Sequence, residues 1–398
     1  MSSITFVVKL IILALGIVLP CLCLVIFRHR RREIVAVLIG LLLSISAAEA
    51  FVRRFYPQIM EEHDKMFQYD PHLGWKFIPN STALIVYPGE ARHYIRTNAW
   101  GFRDNPPPLN GDKKRKILVL GDSFVSNIAV GDNEVFTDIM GRQLKNTAVL
   151  NFGVNGYGEV QEYLLLQQWL SRVNPELVIV VIYIRNDFED NVGSDWLYPR
   201  PFVSWDGQGR TLKINPPPAL SSGGIQPFWQ FYQGSHLYRL VNLRLHVLFE
   251  KVLGLNRGKY KPSFYTPPEL YLCRSPMSDE TKLMYSTMEE LLLMISRYIG
   301  KQGIPVVFVL APSLVQVEDG LWSSMLREYG EKAENYVRSL PNDQLIRFAN
   351  RNDLLMLDLL PTLISEARNG KRLYNRREQH WNSYGNRVVA DALTRYLE

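Results

Sequence analysis

Short apolar runs alternate with segments of helical spacing along residues 116–398. The runs KILVL (116–120), AVLNFGV (148–154) and LVIVVIYI (177–184) are almost wholly apolar, and helix-like periodicity separates them. Continuous apolar strands that alternate with helices are typical of a parallel sheet covered on both faces. The alternation resumes after residue 280 and ends in a helix over 381–398. The pattern therefore predicts an α/β fold of three layers, with a parallel sheet between two layers of helices.

Two segments depart from this alternation. Residues 55–115 carry turn signals and short alternating pieces such as ALIVY (83–87), which predict β-hairpins in an accessory segment packed on the main domain. Residues 195–275 are rich in Trp, Tyr, Pro and Gly and contain one predicted helix, over 236–253. We interpret the second segment as an insertion in a single domain that spans 116–398.

The first 54 residues have a membrane-like pattern. Residues 4–27 form an apolar run long enough to cross roughly 30 Å of hydrocarbon, and residues 34–52 form a second run. The basic stretch RHRRRE (28–33) between them predicts a cytoplasmic connection, so the chain after Arg54 would face the periplasm, the cell exterior or an organelle lumen. A late signal peptide, cleaved after Ala48-Glu49-Ala50, is the alternative. Both interpretations place the bulk of the chain outside the cytosol.

Charge and cysteine content exclude several classes of function. Of 45 basic and 39 acidic residues, seven and two lie within 1–54, so the remaining chain is nearly neutral and no nucleic-acid partner is expected. Cys21 and Cys23 lie in the first apolar run, which leaves Cys273 alone in the rest of the chain. Neither an intradomain disulfide nor a cysteine-ligated zinc site is expected there.

Residues that can perform chemistry follow the predicted strands. Ser123 comes directly after the first strand, where it either caps a helix or serves as a nucleophile whose own N–H meets an oxyanion. Gly156 follows the second strand and Asn186 the third, and both can donate an N–H to an oxyanion. His380 precedes the last helix and is a candidate general base. Because ligands gather at the carboxyl ends of parallel strands, we expect these four residues to meet at one edge of the sheet.

The chain order Ser, Gly, Asn, His resembles that of the SGNH (GDSL) hydrolase superfamily. The front segments DPHLGWKFIPN (70–80) and TNAWGFRD (97–104) look like what precedes the domain in membrane-anchored bacterial members of that superfamily. GDSF (121–124) looks like the first of the four blocks that define the family, and NFGVNGYG (151–158) looks like the second. RND (185–187) and EQHWNSYG (378–385) look like the third and the last. The resemblance implies a flavodoxin-like sheet and an acyl-enzyme mechanism. The oxyanion hole would consist of Ser123, Gly156 and Asn186, with Gly153 as the weaker alternative to Gly156.

The chain departs from the family pattern at the acid of the catalytic triad. The family usually has an aspartate three residues before the histidine, where this chain has Arg377. Glu378 is the nearest carboxylate, and we assign it as the acid that orients His380, with Asp358 in reserve. An arginine close to the imidazole would lower its basicity.

These features predict a membrane-anchored serine esterase that acts on acyl esters, such as O-acetyl esters, of an envelope or extracellular carbohydrate or on a small ester. No metal or organic cofactor is expected. Four aromatic residues of the insertion either stack on sugars or pack the insertion onto the domain: Trp196, Tyr198, Trp205 and Trp229.

Three other functions remain open at this point. The first is a carbohydrate O-acetyltransferase with the same site, which would need a membrane partner to deliver the acyl donor. The second is a non-catalytic polysaccharide-binding or assembly protein on a degenerate hydrolase fold. The third is magnesium-dependent phosphotransfer at Asp122, assisted by Asp187 and Asp190.

Overall fold

The computed structural model describes residues 28–103, 115–192, 198–206, 211–218, 235–241, 244 and 267–398. The first apolar run (4–27), most of the helix predicted over 236–253, and both Trp196 and Trp229 lie outside the described residues. The chain divides into two compact units, Met1–Met60 with Gly223–Lys261 and Glu61–Ser222 with Pro262–Glu398.

The secondary structure alternates as the sequence predicts. The strands are β1 (Met60–Glu61), β2 (Phe67–Asp70), β3 (Gly74–Phe77), β4 (Thr82–Tyr87), β5 (Ala91–Arg96), β6 (Arg115–Gly121), β7 (Thr147–Gly153), β8 (Leu177–Tyr183), β9 (Phe202–Trp205), β10 (Leu212–Asn215), β11 (Val306–Ala311) and β12 (Leu355–Asp358). The α-helices are α1 (Arg31–Phe55), α2 (His63–Met66), α3 (Ser123–Ser126), α4 (Phe136–Gln143), α5 (Glu159–Val173), α6 (Asp187–Asp190), α7 (Glu269–Leu272), α8 (Asp279–Gly300), α9 (Leu314–Val317), α10 (Asp319–Glu328), α11 (Leu340–Arg351), α12 (Leu360–Arg368) and α13 (Ser383–Leu397).

Five strands of the larger unit form a parallel sheet in the order β12-β11-β8-β6-β7. Numbered along the chain among themselves, these strands follow the order 2-1-3-4-5 of flavodoxin-like sheets. The strand order reverses between β6 and β8, and ligands bind outside the carboxyl ends of the strands at such a point. The predicted fold class is confirmed, and the predicted strands end within two residues of the observed ones.

Helices cover both faces of the sheet. On one face, α3, α4, α12 and α13 pack with β6, β8 and β11 in a single buried apolar cluster. On the other face, α5 contacts β6, α8 contacts β11, and the two helices contact each other. Every residue of β8 is buried, which explains why this strand reads as an uninterrupted apolar run. Burying each such aliphatic side chain contributes about 1.5 to 3 kcal/mol.

The accessory segment contains the predicted hairpins, because β2 pairs antiparallel with β3 and β4 with β5. Trp75 of β3 is fully buried and its indole donates to the carbonyl of Asn155, 2.9 Å away. The hydroxyl of Tyr157 donates in turn to the carbonyl of Trp75. These contacts attach the hairpins to the turn that follows β7, and the domain boundaries stay a prediction.

Helix α1 contains the second predicted apolar run. Its segment Arg32–Phe55 is 24 residues long, and an 18-residue stretch within it has a mean hydropathy of 2.3 and is not buried. Among the described residues it is the helix that is long and apolar enough to cross a membrane, by length and composition. Near its end, the Glu49 carboxylate accepts hydrogen bonds from the Ser235 hydroxyl and from the backbone N–H groups of His236 and Leu237.

Candidate active site

Ser123 is the first residue of α3, directly after the carboxyl end of β6. The Asp122 side chain accepts a hydrogen bond from the Phe124 N–H at 2.8 Å and so caps this short helix. A Cβ at Gly121 would lie 2.3 Å from a methyl group of Val125, so glycine allows α3 to fold back against the strand. The order Gly, Asp, Ser thus gives a close turn, a helix cap and an accessible hydroxyl.

The His380 imidazole connects Ser123 to a carboxylate. Its Nε2 lies 2.7 Å from the Ser123 Oγ, and its Nδ1 contacts the Glu378 Oε2. The other Glu378 oxygen, Oε1, accepts a hydrogen bond from the Asn375 amide at 2.6 Å. Ser123, His380 and Glu378 therefore form a continuous line of contacts, in which Asn375 fixes the carboxylate from behind.

The backbone of the His380 loop explains how a glutamate two residues away reaches the imidazole. Gln379, between them, has a φ of 66°, in the left-handed region that few non-glycine residues adopt. The Asn375 N–H donates to the His380 carbonyl at 2.9 Å, which closes the loop into a tight turn. With this local turn, the carboxylate reaches Nδ1 although Arg377 occupies the position of the usual aspartate.

The surroundings raise the basicity of His380. Burial alone would lower the pKa of His380, but the Glu378 carboxylate, with smaller contributions from Asp122 and Glu61, raises it above its ordinary value. Arg377 is not among the main causes of this shift, so its lowering effect on the basicity stays a prediction. Burial also raises the pKa of Asp122, to about 6.

The candidate oxyanion donors differ in how they are engaged. The N–H groups of Ser123 and of Gly156 make no hydrogen bond within the part of the chain that the structure describes. Gly156 has a φ of +75°, which favours glycine, whereas the Gly153 N–H already donates to the Asn151 side chain at 3.0 Å. The Asn186 amide donates to Asp190 at 2.6 Å.

Gly153 has a packing role instead of an oxyanion role. A Cβ at this position would lie 2.3 Å from the Ser126 backbone nitrogen, so the glycine lets α3 pack closely on β7.

A cavity of about 240 Å³ opens beside Ser123. Its lining includes Asn186 and His380 together with Tyr183, Arg185 and Arg377. The structure therefore brings the serine, the histidine, the glutamate and the asparagine to one place. Gly156 is not among the residues that line this cavity, and it lies in the turn at the end of the neighbouring strand β7.

Asp358, the reserve acid, has another role. Its Oδ1 accepts hydrogen bonds from the Asn342 amide at 2.6 Å and from the Leu360 N–H at 2.9 Å, at the start of α12. Both ring nitrogens of His380 have other partners. Asp358 is therefore a capping residue in this structure.

Sequence reasoning missed the residues that fix the nucleophile helix in place. The buried Arg103 guanidinium donates to the backbone carbonyls of Ser126, Asn127 and Val130, which follow the nucleophile. The Asn127 amide donates to the carbonyl of Trp381, next to His380, at 3.1 Å. In the sequence, Arg103 stands out only as part of the motif Trp-Gly-Phe-Arg-Asp (100–104), and the motif does not indicate what this arginine does.

A group of buried carboxyl groups beneath the site was also unexpected. Glu159 and Glu162 of α5 and Asp187 of α6 are fully buried. Burial raises the pKa of Glu159 to about 7, and burial together with neighbouring carboxylates raises those of Glu162 and Asp187 well above their ordinary values. Both oxygens of Glu162 lack a hydrogen-bond partner within the described chain. In the sequence, Glu159 and Glu162 look like the polar side of an amphipathic helix.

The carboxylates required for the phosphotransfer interpretation are engaged in other contacts. Asp187 accepts the Tyr183 N–H at 2.6 Å, and Asp190 forms a buried ion pair with Arg200 at 3.0 Å. Asp122 caps α3.

The two described members of the four aromatic residues in the insertion, Tyr198 and Trp205, pack against other parts of the chain. The rings of Tyr198 and Tyr69 lie 5.8 Å apart, and the Trp205 indole donates to the Thr287 hydroxyl at 3.0 Å. Tyr198 and Trp205 are not among the residues that line the cavity beside Ser123.

No protein-family model and no curated protein sequence matches the chain. Several solved structures are similar to it at low sequence identity. An acetyl xylan esterase shares 13% identity over 71% of this chain and 100% of its own, with a TM-score of 0.39. A member of the lipolytic protein G-D-S-L family from Veillonella parvula shares 14% over 71% and 97%, with a TM-score of 0.37.

A two-domain esterase active on acetylated mannans shares 11% identity over 71% of this chain and 49% of its own, with a TM-score of 0.36. The similar structures thus include esterases and G-D-S-L family proteins. With TM-scores this low, the functional assignment depends on the geometry of this chain's own site.

Proposed function

We propose that the protein is a serine esterase of the SGNH type that cleaves acyl esters of a carbohydrate. The observation that carries the proposal is the line from the Ser123 Oγ through the imidazole of His380 to the Glu378 carboxylate. A hydroxyl in contact with a neutral imidazole nitrogen, whose other nitrogen meets a carboxylate, is the arrangement that activates a serine for attack on an ester.

Each residue then has a defined role in the reaction. The Ser123 Oγ attacks the ester carbonyl carbon while His380 Nε2 takes its proton, and Glu378 stabilises the imidazolium through Nδ1–H. The N–H groups of Ser123 and Gly156 and the Asn186 amide donate to the oxyanion. His380 next protonates the departing sugar oxygen. It then deprotonates the water that attacks the acyl-enzyme and returns this proton to the Ser123 Oγ as the acid leaves.

Membrane anchoring and an extracytosolic position belong to the same proposal. The exposed apolar surface of α1 and the arginines before it support an anchor that crosses the membrane. Cleavage after Ala50 would remove Glu49, which binds the residues 235–237, and this favours a retained helix over a signal peptide. A sugar hydroxyl in place of water would make the same site an acyltransferase that needs a donor-supplying membrane partner.

Acetate release by the full-length protein in detergent tests the proposal. We expect 4-nitrophenyl acetate and acetylated oligosaccharides to be hydrolysed by the wild type and not measurably by Ser123→Ala. Acyl transfer to an added oligosaccharide in preference to water would identify the transferase instead. A folded wild type that neither hydrolyses nor transfers acetyl groups would contradict the proposal and favour a binding protein.

A further inference from the structure

The cavity beside Ser123 carries positive charge that ester cleavage alone does not require. Arg185 and Arg377 both contribute to its lining. Glu378 also lines it, but both of its oxygens contact other side chains and only 7% of its side chain is exposed. Even with this carboxylate counted, the two arginines leave the lining with a net positive charge.

The guanidinium of Arg377 has no partner among the residues that the structure describes. The residue is exposed, its backbone N–H donates to Glu90 at 3.2 Å, and its side chain makes no hydrogen bond or ion pair within the described chain. The preceding arginine differs, because Arg376 pairs with Glu318 at 2.6 Å. An unpaired guanidinium can bind a carboxylate or a phosphate through two parallel hydrogen bonds.

Arg185 also lines the cavity, and the buried Glu269 carboxylate partly balances its charge. Its Nε lies 3.9 Å from the buried Glu269 carboxylate and makes no hydrogen bond, and 32% of its side chain is exposed. It directly precedes Asn186, the candidate oxyanion donor. An anionic group in the cavity would thus share its lining with two arginines and with the catalytic residues.

We infer that the site binds esters of anionic carbohydrates, in which a carboxylate or phosphate on the acylated sugar contacts Arg377, within the positive potential of Arg185. The inference rests on the proposed esterase function and names its substrate class. A contact made equally in the ground state and the transition state lowers KM and leaves kcat unchanged, so the arginine is expected to act mainly on KM.

Three acetylated sugars that differ in charge test the inference. We would compare acetyl esters of methyl glucoside, of methyl glucuronoside and of glucose 6-phosphate as substrates of the full-length protein in detergent. The variants are Arg377→Gln, Arg377→Lys and, as the matched control, Arg376→Gln. Protection of Ser123 from a fluorophosphonate by glucuronate, glucose 6-phosphate or glucose gives a second readout that does not depend on the acyl group.

The expected result is at least tenfold higher kcat/KM for a charged ester than for the neutral one. Arg377→Gln should reduce this ratio about tenfold through KM, Arg377→Lys should restore part of it, and Arg376→Gln should retain it. Comparison of the glucuronoside ester with the glucose 6-phosphate ester shows whether a carboxylate or a phosphate is bound. Equal kcat/KM for charged and neutral esters, or equal protection by charged and neutral sugars, would overturn the inference.

The failure of the inference and that of the proposed function are distinguishable. A fluorophosphonate adduct on Ser123 without any preference for charge contradicts the anionic substrate alone. The absence of an adduct on folded protein contradicts the esterase itself.

Discussion

Two carboxylates near the catalytic end of the sheet are almost equally inaccessible but differ in what their oxygens contact. Glu378 receives hydrogen bonds on both oxygens, from Asn375 and from His380. Glu162 lies in α5 with no partner for either oxygen within the described chain. Burial of an unpartnered carboxyl group costs stability, whereas a carboxylate fixed by hydrogen bonds can orient a base. The two residues therefore differ in their hydrogen bonds more than in their burial. These hydrogen bonds distinguish Glu378, the candidate catalytic acid, from Glu162, which is structural.

The largest losses of activity should come from replacing the nucleophile Ser123 or the base His380, which Glu378 orients. Ser123→Ala and His380→Ala should each lower kcat/KM for an ester about 10³- to 10⁶-fold, because nucleophile and base act as one unit. The double variant should be little worse than either single one. Additive losses in the double variant would contradict a shared mechanism, and circular dichroism checks that the variants fold.

Removal of the candidate acid should have the next largest effect. Glu378→Gln keeps the shape of the side chain but removes the charge that stabilises the imidazolium, so we expect about a 10²- to 10⁴-fold loss in kcat/KM. Asp358→Asn is the control, since Asp358 caps α12 and does not contact the imidazole. A larger loss of activity in Asp358→Asn than in Glu378→Gln would reverse the assignment.

The pH dependence of activity should reveal the same contact. His380 must be neutral to accept the proton of Ser123, and its raised pKa means that protonation persists to higher pH. The acid limb of kcat/KM should therefore have its midpoint above about 6.5, the ordinary value for histidine. In Glu378→Gln the midpoint should move to lower pH, and an unchanged midpoint would mean that Glu378 does not act on the imidazole.

The smallest expected effect is on stability and concerns Glu162. Glu162→Met should raise the free energy of unfolding by about 1 to 3 kcal/mol, because it removes an unpartnered buried carboxyl group. Since the pKa of Glu162 is raised in the folded state, the wild type loses stability as pH rises above about 4.5. The gain should therefore be larger at pH 8 than at pH 5.

Thermal unfolding at pH 5 and pH 8 measures this difference. Glu328→Met, at an exposed position in α10, is the control and should change the melting temperature little at either pH. A destabilised Glu162→Met variant would show that the carboxyl group has a partner or a function of its own.

The sequence predicted the fold well because β8 and its neighbours are buried on both faces and leave an uninterrupted apolar signal. The strand-end positions of Ser123 and Asn186 followed from the same pattern. The contact between Glu378 and His380 did not follow from that pattern. It depends on the left-handed backbone of Gln379, and hydrophobic periodicity does not reveal such a conformation. The contacts of Arg103 with the carbonyls after Ser123, and the lack of a partner for Glu162 among the described residues, depend on tertiary burial. Two isolated charged residues in a sequence do not reveal it.

The most direct test of the account is the reaction of the full-length protein with a fluorophosphonate, followed by intact mass and peptide mapping. An activated serine reacts with this reagent, whereas an ordinary helix-capping serine does not. We expect one adduct, on Ser123, formed much more slowly in His380→Ala and Glu378→Gln and absent in Ser123→Ala. A folded wild-type protein that stays unlabelled, or that is labelled at another residue, would contradict it.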